Sequence, residues 1–384
     1  MVVVSVALLV VGLSFVNGIF GEMLADATGF TGHVRVVANE YAQREELLPL
    51  YANLADAEKL ARSLEEQPGV RAAEPRIVSG VTVTVGQEIG DVFGMVVGAS
   101  ERFFRERLKA KDHLVAGAWF TGAPDEIVAG RKVVEQAGAK VGDELVLLGV
   151  TQDGSMSPIK GRLVGVVHGA TIDQQLLVPL ERVQFLTDIP GGATEILLFG
   201  DDLNQAGVLA GRLRGEPQLS AFTVQAWSER EPWRGMTGAL AAIRRIIVFI
   251  IGLLTALGIW NTMTMSVLER TNEIGVLRAM GMSRPRLVSL VVFEAVSISV
   301  VGGALGALLG MGPAWVLATR GIHLGDRTAS SMAFAISETV HGRLDASTVV
   351  AAFLLGLAMA LFGSVVPALR AASIPPSSAM RSGR

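Results

Sequence analysis

The sequence predicts a membrane protein with four transmembrane helices and a large α/β (α+β) domain inserted between the first helix and the second. Three observations predict this fold class. Four apolar runs each reach the roughly 20 residues that a helix needs to cross a bilayer. A long polar region separates the first run from the other three, which follow one another closely. The composition combines 50% hydrophobic with 18% charged residues at a mean hydropathy of +0.47, which indicates membrane spans joined to a water-facing part.

The apolar runs define the predicted spans. They cover residues 1–21, 243–268, 287–318 and 346–369. No basic residue precedes the first run, and Ala25-Asp26-Ala27 after it is similar to a signal-peptidase site. Because the run is long for the apolar part of a signal peptide, we expect a span that is retained.

Basic residues beside the spans predict the orientation. Arginines lie in the loop after the second span and in the C-terminal tail, and such residues favour the cytoplasmic side. Arg244, Arg245 and Arg320 lie on the other side and weaken this signal. The predicted topology has a periplasmic domain at 22–235, a cytoplasmic segment at 269–286, a periplasmic loop at 319–345 and a cytoplasmic tail at 370–384.

The predicted periplasmic domain alternates between strand-like and helix-like segments, as a mixed fold with its own core does. Strands are expected at 34–38, 81–85, 144–148, 162–167, 195–199 and 222–226, and helices at 56–67, 126–137, 179–186 and 203–213. The length of the region favours two subdomains, with a break near 102–117.

The segment between the second and third spans is dense in charge. It carries Glu269, Arg270, Glu273 and Arg278, while Ile274, Leu277 and Gly281 fall on one side at helical spacing. This pattern is typical of a helix that lies at the membrane surface and docks onto another protein. The alternative is a solvated loop helix whose charges only mark the membrane boundary.

Two features of the third span are expected to serve helix packing. Glu294 lies inside the span, where a lone carboxylate is costly, so it should face the bundle or make a polar contact at the cytoplasmic end. Gly302, Gly306 and Gly310 form a series of small residues that lets a neighbouring helix approach closely, within the bundle or in a dimer.

Other classes of site are not expected. The net charge of −3 gives no indication of nucleic-acid binding. The chain has no cysteine, and its five histidines lack metal-ligand spacing. We therefore predict neither a metal site nor catalytic residues.

Several motifs resemble a known family. Residues 269–281, followed by Phe293-Glu294-Ala295 and by Gly302-Gly303, Gly306 and Gly310, resemble the FtsX-like permease domain of type VII ABC transporters. Its closing signature is similar to Pro367-Ala368, Ala371-Ala372, Pro375 or Pro376, and Ala379-Met380-Arg381. The preceding region resembles the periplasmic core of MacB and of the lipoprotein-releasing LolC and LolE permeases, through Gly32-His33-Val34, Pro68-Gly69-Val70, Gly142-Asp143 and Trp227-Ser228-Glu229. Asn17-Gly18 is most similar to the LolC/LolE branch.

This resemblance implies a permease that works as a dimer, with itself or a paralogue, and is driven by a separate LolD-like ATPase. The chain has no G-x-x-x-x-G-K-[ST] loop, so ATP and Mg²⁺ are expected on that partner and no cofactor on this chain. The resemblance implies that residues 269–281, Gly281 included, form the element that couples the permease to the ATPase. Glu269, Arg270, Glu273 and Arg278 would pair with the ATPase, while Ile274 and Leu277 would fill its surface groove.

The expected function is extraction of lipoproteins from the bacterial inner membrane for transfer towards the outer membrane. Membrane lipid and a periplasmic lipoprotein carrier would be further partners. Two alternatives remain, namely MacB-type efflux of drugs or peptides from the periplasm and non-transporting, FtsX-like signalling to cell-wall hydrolases. Relatives carry a cytoplasmic amphipathic helix before the first span, and we expect either that the start of this chain lies further upstream or that its ATPase is anchored without such a helix.

Overall fold

The computed structural model describes residues 2–86, 88–169, 171–231, 233–323 and 339–373. Within these residues the chain separates into two compact units. The helical unit contains residues 2–22, 238–323 and 339–373, and the mixed unit contains residues 23–237. Parts of the predicted loop (324–338) and tail (374–384), including the second half of the closing signature, lie outside the described residues.

The α-helices and strands of both units are named here in chain order. The helices are α1 (Val2–Thr31), α2 (Asn39–Gln43), α3 (Ala57–Glu65), α4 (Arg131–Ala137), α5 (Leu180–Thr187), α6 (Ala206–Leu213), α7 (Trp233–Glu269), α8 (Thr271–Ala279), α9 (Arg284–Arg320) and α10 (Ala346–Ser373). The strands are β1 (Val34–Ala38), β2 (Val70–Val85), β3 (Glu88–Ala99), β4 (Leu114–Gly117), β5 (Glu126–Gly130), β6 (Glu144–Val150), β7 (Met156–Val167), β8 (Gln175–Pro179), β9 (Glu195–Gly200), β10 (Phe222–Ala226), β11 (Ile322–His323) and β12 (Thr339–Val340).

Four of the described helices, α1, α7, α9 and α10, are long and apolar enough to cross a membrane. From Val2 onwards they include the residues of the four predicted spans and extend beyond them. Within the described residues, α7 is already helical at Trp233 and α10 is still helical at Ser373, because a helix continues as long as its backbone can bond four residues back, whatever the polarity of its side chains. Backbone geometry ends α9, since Gly321 has a φ of +66°.

One half of the mixed unit, lobe A, is built on a four-stranded antiparallel sheet. The strand order is β10-β1-β9-β2, and β2 contributes only its first half, Val70–Arg76. Helices α3 and α6 cover the sheet with Leu64 and Leu213, both almost fully buried. The buried residues of α3 and α6 recur at helical spacing, so one face of each helix packs into the apolar core on this sheet.

The second half, lobe B, is a closed six-stranded barrel. The second half of β2 pairs with β3, and the ring continues through β8, β5, β7 and β6 back to β2. The β3–β8 and β5–β7 pairs are parallel and the others antiparallel. Closure leaves none of these six strands as a free edge of the ring. Strand β2 thus belongs to both lobes.

Two expectations for this unit differ from the structure. Residues 126–137, expected to be one helix, form strand β5 followed by helix α4, because the five residues of β5 are buried between β7 and β8. The range 102–117, where the break was expected, covers the chain that follows β3 and the whole of β4. The strand pairing instead changes inside β2, between Arg76 and Ile77, and again before β9.

A cluster of charged side chains lies inside lobe A. Arg35, Arg76, Glu195 and Arg230 are each at most 9% exposed. Arg76 binds Glu195 Oε1 through Nε at 3.1 Å and Nη2 at 2.8 Å. Both Arg35 Nη atoms bind the carboxylate of Glu45, at 2.5 and 2.7 Å, and Arg230 Nη2 binds Glu45 Oε1 at 3.0 Å. Three guanidinium groups therefore share two carboxylates.

The same arginines bind the end of α1. Arg76 Nη1 donates to the carbonyl oxygen of Phe30, and Arg230 Nη1 donates to that of Thr31 at 3.4 Å. These carbonyls belong to the last residues of the helix, which have no partner four residues on in the helix itself and carry its negative dipole end. The cluster thus caps the C-terminus of α1 within the mixed unit.

We expect the stability of the mixed unit to fall in acid. Desolvation opposes ionisation of Glu45, but hydrogen bonds from Arg35 and the charges of Arg35 and Arg230 outweigh it and lower its pKa from 4.5 to about 2. The pKa of Glu195 is also lowered, because Arg76 and Arg35 outweigh its burial. A lowered folded-state pKa gives stability that is present above pH 4.5 and lost as the pH falls towards 2. Thermal unfolding between pH 6 and pH 2.5 measures this, and Glu45→Gln should flatten the profile; an unchanged profile would contradict it.

Candidate functional site: the helix between α7 and α9

The charge-dense segment forms a short helix, α8, directly after α7. Arg270 separates the two helices and has a φ of −101°. The chain nevertheless stays hydrogen-bonded across this junction, because the Ile274 amide donates to Arg270 O at 3.0 Å and Thr271 Oγ1 donates to Leu268 O at 2.8 Å. The helix therefore has a fixed start.

One face of α8 is covered by the helical unit itself. Ile274 is 7% exposed and belongs to an apolar cluster with Leu287 and Val291 of α9. Gly275 is buried and Leu277 is half-buried. The family resemblance implied that Ile274 fills a partner's groove, and in the structure its side chain is buried within its own chain. Its burial attaches α8 to an apolar cluster that also has members on α7, α9 and α10.

The opposite face is exposed and mixes acid with apolar side chains. Glu273 is exposed, together with Val276 (46%) and Met280 (71%), and the spacing of three and four residues puts them on one side of the helix. Glu269 is exposed just before the helix. Sequence reasoning missed Val276 and Met280, although their spacing from Glu273 is as helical as that of Ile274 and Leu277. These residues form the surface that a partner could contact.

A Schellman motif ends α8. Met282 N donates to Leu277 O at 3.1 Å and Gly281 N to Arg278 O at 3.1 Å, with Gly281 at a φ of +96°. A side chain at this position would meet no neighbour within 4 Å, so glycine is favoured by backbone conformation alone. Arg278, expected to pair with a partner, is half-buried and donates through Nη1 to Met282 O at 2.9 Å.

Two residues to which the sequence gave separate roles form an ion pair. Arg270 Nη1 lies 3.0 Å from Glu294 Oε1 on α9. The Arg270 side chain is 55% exposed and that of Glu294 37%. The carboxylate thus has a cation beside it.

The small-residue series on α9 packs against α1. A β-carbon on Gly306 would lie 2.4 Å from Val3 O, and one on Gly310 would lie 2.9 Å from Ala7 O. At Gly302 the nearest atom would be Val2 Cβ, at an ordinary 3.4 Å. The series therefore serves packing within the helical unit, most strictly at Gly306.

Asn17 and Gly18 also acquire a structural role. Asn17 Nδ2 donates to Thr348 Oγ1 of α10 at 3.2 Å. A β-carbon on Gly18 would lie only 2.0 Å from His341 O. The pair lets the chain before α10 cross α1 at close range.

Two family descriptions cover most of the chain. Residues 1–209 match the MacB-like periplasmic core domain, and residues 245–376 match the FtsX-like permease C-terminal domain. The segment α8, Glu294 and the glycine series all fall in the second match.

Sequence identity to individual relatives is low. The lipoprotein-releasing system transmembrane protein LolC of Neisseria meningitidis is 23% identical, over 99% of this chain and 92% of its own length. The macrolide export ATP-binding/permease protein MacB of Acinetobacter baylyi is 29% identical over 42% of this chain and 22% of its own. The chain thus spans about a third or less of several curated relatives. The periplasmic region of MacB from Actinobacillus actinomycetemcomitans aligns with 53% of this chain and 94% of its own, at 15% identity and a TM-score of 0.37.

The chain belongs to the FtsX/MacB-like ABC permease family, since one family domain alone covers more than half of it. It is a multi-pass membrane protein with a periplasmic MacB-like domain between its first and second membrane helices.

Proposed function

We propose that this chain is the membrane subunit of an ABC transporter that extracts lipoproteins from the bacterial inner membrane for transfer towards the outer membrane. The exposed face of α8 carries the proposal. It offers Glu273, Val276 and Met280 to a partner between two helices of membrane-spanning length, in the region that matches the FtsX-like permease. An acidic and apolar surface of this kind suits a docking partner with basic and apolar groups.

The proposed partner is a separate, LolD-like ATPase that binds ATP and Mg²⁺. The two matched domains are permease regions, and the sequence holds no Walker A loop. The lipoprotein cargo is supported by the alignment with LolC along nearly the whole of both chains. A second permease copy or paralogue, membrane lipid and a periplasmic lipoprotein carrier complete the proposed assembly.

MacB-type export is the second candidate, and the match to the MacB-like core domain favours it. Reconstitution with the organism's LolD-type ATPase separates the two. ATP-dependent release of an acylated lipoprotein to a soluble carrier supports the proposal, whereas release of macrolide without lipoprotein release supports export. Substantial ATP hydrolysis by the purified chain alone would contradict both.

Reversing the charge of Glu273 is expected to uncouple the ATPase. Glu273→Lys turns an attraction at the docking surface into a like-charge contact, which can cost several kcal/mol, so ATPase affinity should fall by about tenfold or more. The matched control is Glu135→Lys, an exposed charge reversal on α4 of the mixed unit. Co-purification and ATP turnover in nanodiscs are measured, with insertion checked by protease pattern. Equal effects of the two variants would contradict the docking assignment.

The two faces of α8 should respond differently to truncation. Ile274→Ala removes a buried side chain and should cost about 2–4 kcal/mol of stability in the helical unit. Val276→Ala should leave stability nearly unchanged and weaken ATPase binding by about 1 kcal/mol. Thermal unfolding and ATPase affinity of both variants test this. The reverse pattern would mean that α8 docks through its inner face.

A further inference from the structure

We propose that Arg270 and Glu294 form a positioning pair that sets the orientation of α8 from inside the permease. Arg270 then acts through Glu294, and not by contacting the ATPase. The consequence for ATPase binding rests on the proposed function, whereas the orientation of α8 can be measured in the permease alone.

The location of Arg270 carries the first step. It is the residue at which the chain passes from α7 to α8, and its guanidinium lies 3.0 Å from a carboxylate of the following helix, α9. Two other carboxylates, of Glu269 and Glu273, are close in sequence but are exposed, and neither forms an ion pair among the described residues. The pair therefore connects the α7–α8 junction to α9.

The other contacts of α8 hold its middle and its end but do not fix the direction of its start. Ile274 holds the middle of the helix in an apolar cluster, and the hydrogen bonds of Gly281, Met282 and Arg278 hold its end. At its start, the backbone continues into α7, and among the described residues the ion pair is the only salt bridge that joins the α7–α8 junction to α9. Apolar contact is non-directional, whereas a guanidinium–carboxylate bond fixes direction. Loss of the pair should let α8 pivot about Ile274.

The pair also offsets the energetic cost of placing the Glu294 carboxylate within a helix of membrane-spanning length. A carboxylate inside a membrane-length helix needs a partner, and Arg270 supplies one from the end nearest to water. Because both side chains are partly exposed, each position can accommodate the side chain of the other.

Charge exchange is the decisive experiment. The chain has no native cysteine, so spin labels at Ala279→Cys on α8 and Ser297→Cys on α9, both exposed positions, report one distance in nanodiscs. Arg270→Glu or Glu294→Arg alone should broaden the distance distribution by about twofold or more. The double variant should restore the width of the parent, because the pair is rebuilt with its charges exchanged. Unchanged widths in the single variants, or no recovery in the double variant, would overturn the proposal.

Uncharged substitutions at the same two positions provide a second test in case a charge-reversed variant does not fold. If a charge-reversed variant fails to insert, Arg270→Gln, Glu294→Gln and their double variant replace it. The double variant should broaden the distribution no more than either single one, since each change breaks the same bond. Additive broadening would mean that the two residues act independently and would overturn the pairing.

ATPase binding then separates this proposal from the proposed function. Each single reversal should lower the affinity of the permease for the LolD-type ATPase by about tenfold. The double variant with exchanged charges should bind the ATPase with an affinity within about threefold of the parent. If the exchange restores the distance but not binding, Arg270 contacts the ATPase directly and its assignment as a positioning residue is wrong. If the parent permease binds no ATPase, the proposed function fails while the distance measurement still decides the pair.

Discussion

Glu195→Gln is expected to destabilise the mixed unit by about 3–5 kcal/mol, as removal of one partner from a buried ion pair typically does. Glu195 is 2% exposed and accepts two hydrogen bonds from Arg76, with Arg35 Nη1 at 3.8 Å from its other oxygen. Neutralising it leaves three buried guanidinium groups with one carboxylate, Glu45. Burial keeps water from replacing the lost interaction.

The matched control for this change is Glu58→Gln. Glu58 pairs with Arg62 on α3 at 3.3 Å, but both side chains are more than half exposed, so the loss should be below about 1 kcal/mol. Pulse proteolysis of the full chain in nanodiscs, across a urea series, measures both variants. A cost for Glu195→Gln no larger than that of the control would show that the cluster tolerates its excess positive charge.

Gly306→Leu is expected to disrupt the contact between α1 and α9, at a cost of about 3 kcal/mol to the helical unit. Its β-carbon alone would lie 2.4 Å from Val3 O and 3.0 Å from Val6 Cβ. The first of these is a backbone atom of another helix, which cannot rotate away, so the helices must separate. The sequence ranked three glycines equally, whereas the structure singles out this position.

Gly302→Ala is the control on the same helix. Its β-carbon would meet Val2 Cβ at 3.4 Å, an ordinary contact, and alanine favours a helix over glycine by up to about 1 kcal/mol. We expect unchanged or slightly increased stability, measured as thermal unfolding in detergent beside Gly306→Leu. Equal losses at the two positions would contradict the assigned packing of α9 on α1.

The apolar runs predicted the membrane helices because bilayer thickness sets a minimum length that few other structures need. The interior of the mixed unit was less accessible from sequence. Residues 127–130 form a short apolar run that fits a helix or a buried strand, and pairing with β7 and β8 decided for the strand. Closure of the barrel by β6 on β2 likewise depends on residues far apart in the chain.

The candidate site shows the same limit. Helical spacing predicted α8, but apolar residues occur on both of its faces, as Ile274 and Leu277 or as Val276 and Met280. Which face is covered depends on the residues of α7, α9 and α10 that share the apolar cluster of Ile274, and spacing within the segment carries no information about them. The Arg270–Glu294 pair joins the α7–α8 junction to α9 over 24 residues of chain, so local pattern predicted two charges and not their contact.

The passage of β2 through both lobes has a consequence for how the protein reaches its folded state during export. Lobe B is formed mainly from one continuous stretch of chain, so its ring of strands can close soon after β8 emerges from the membrane. The sheet of lobe A cannot form at that stage, because β1 pairs with β9 and β10, and both strands follow the whole of lobe B in the chain. In the interval β1 has neither of its neighbours, and such an unpaired strand is open to misassociation. Rapid closure of the barrel shortens the effective loop between β1 and β9, which lowers the entropy cost of completing the sheet.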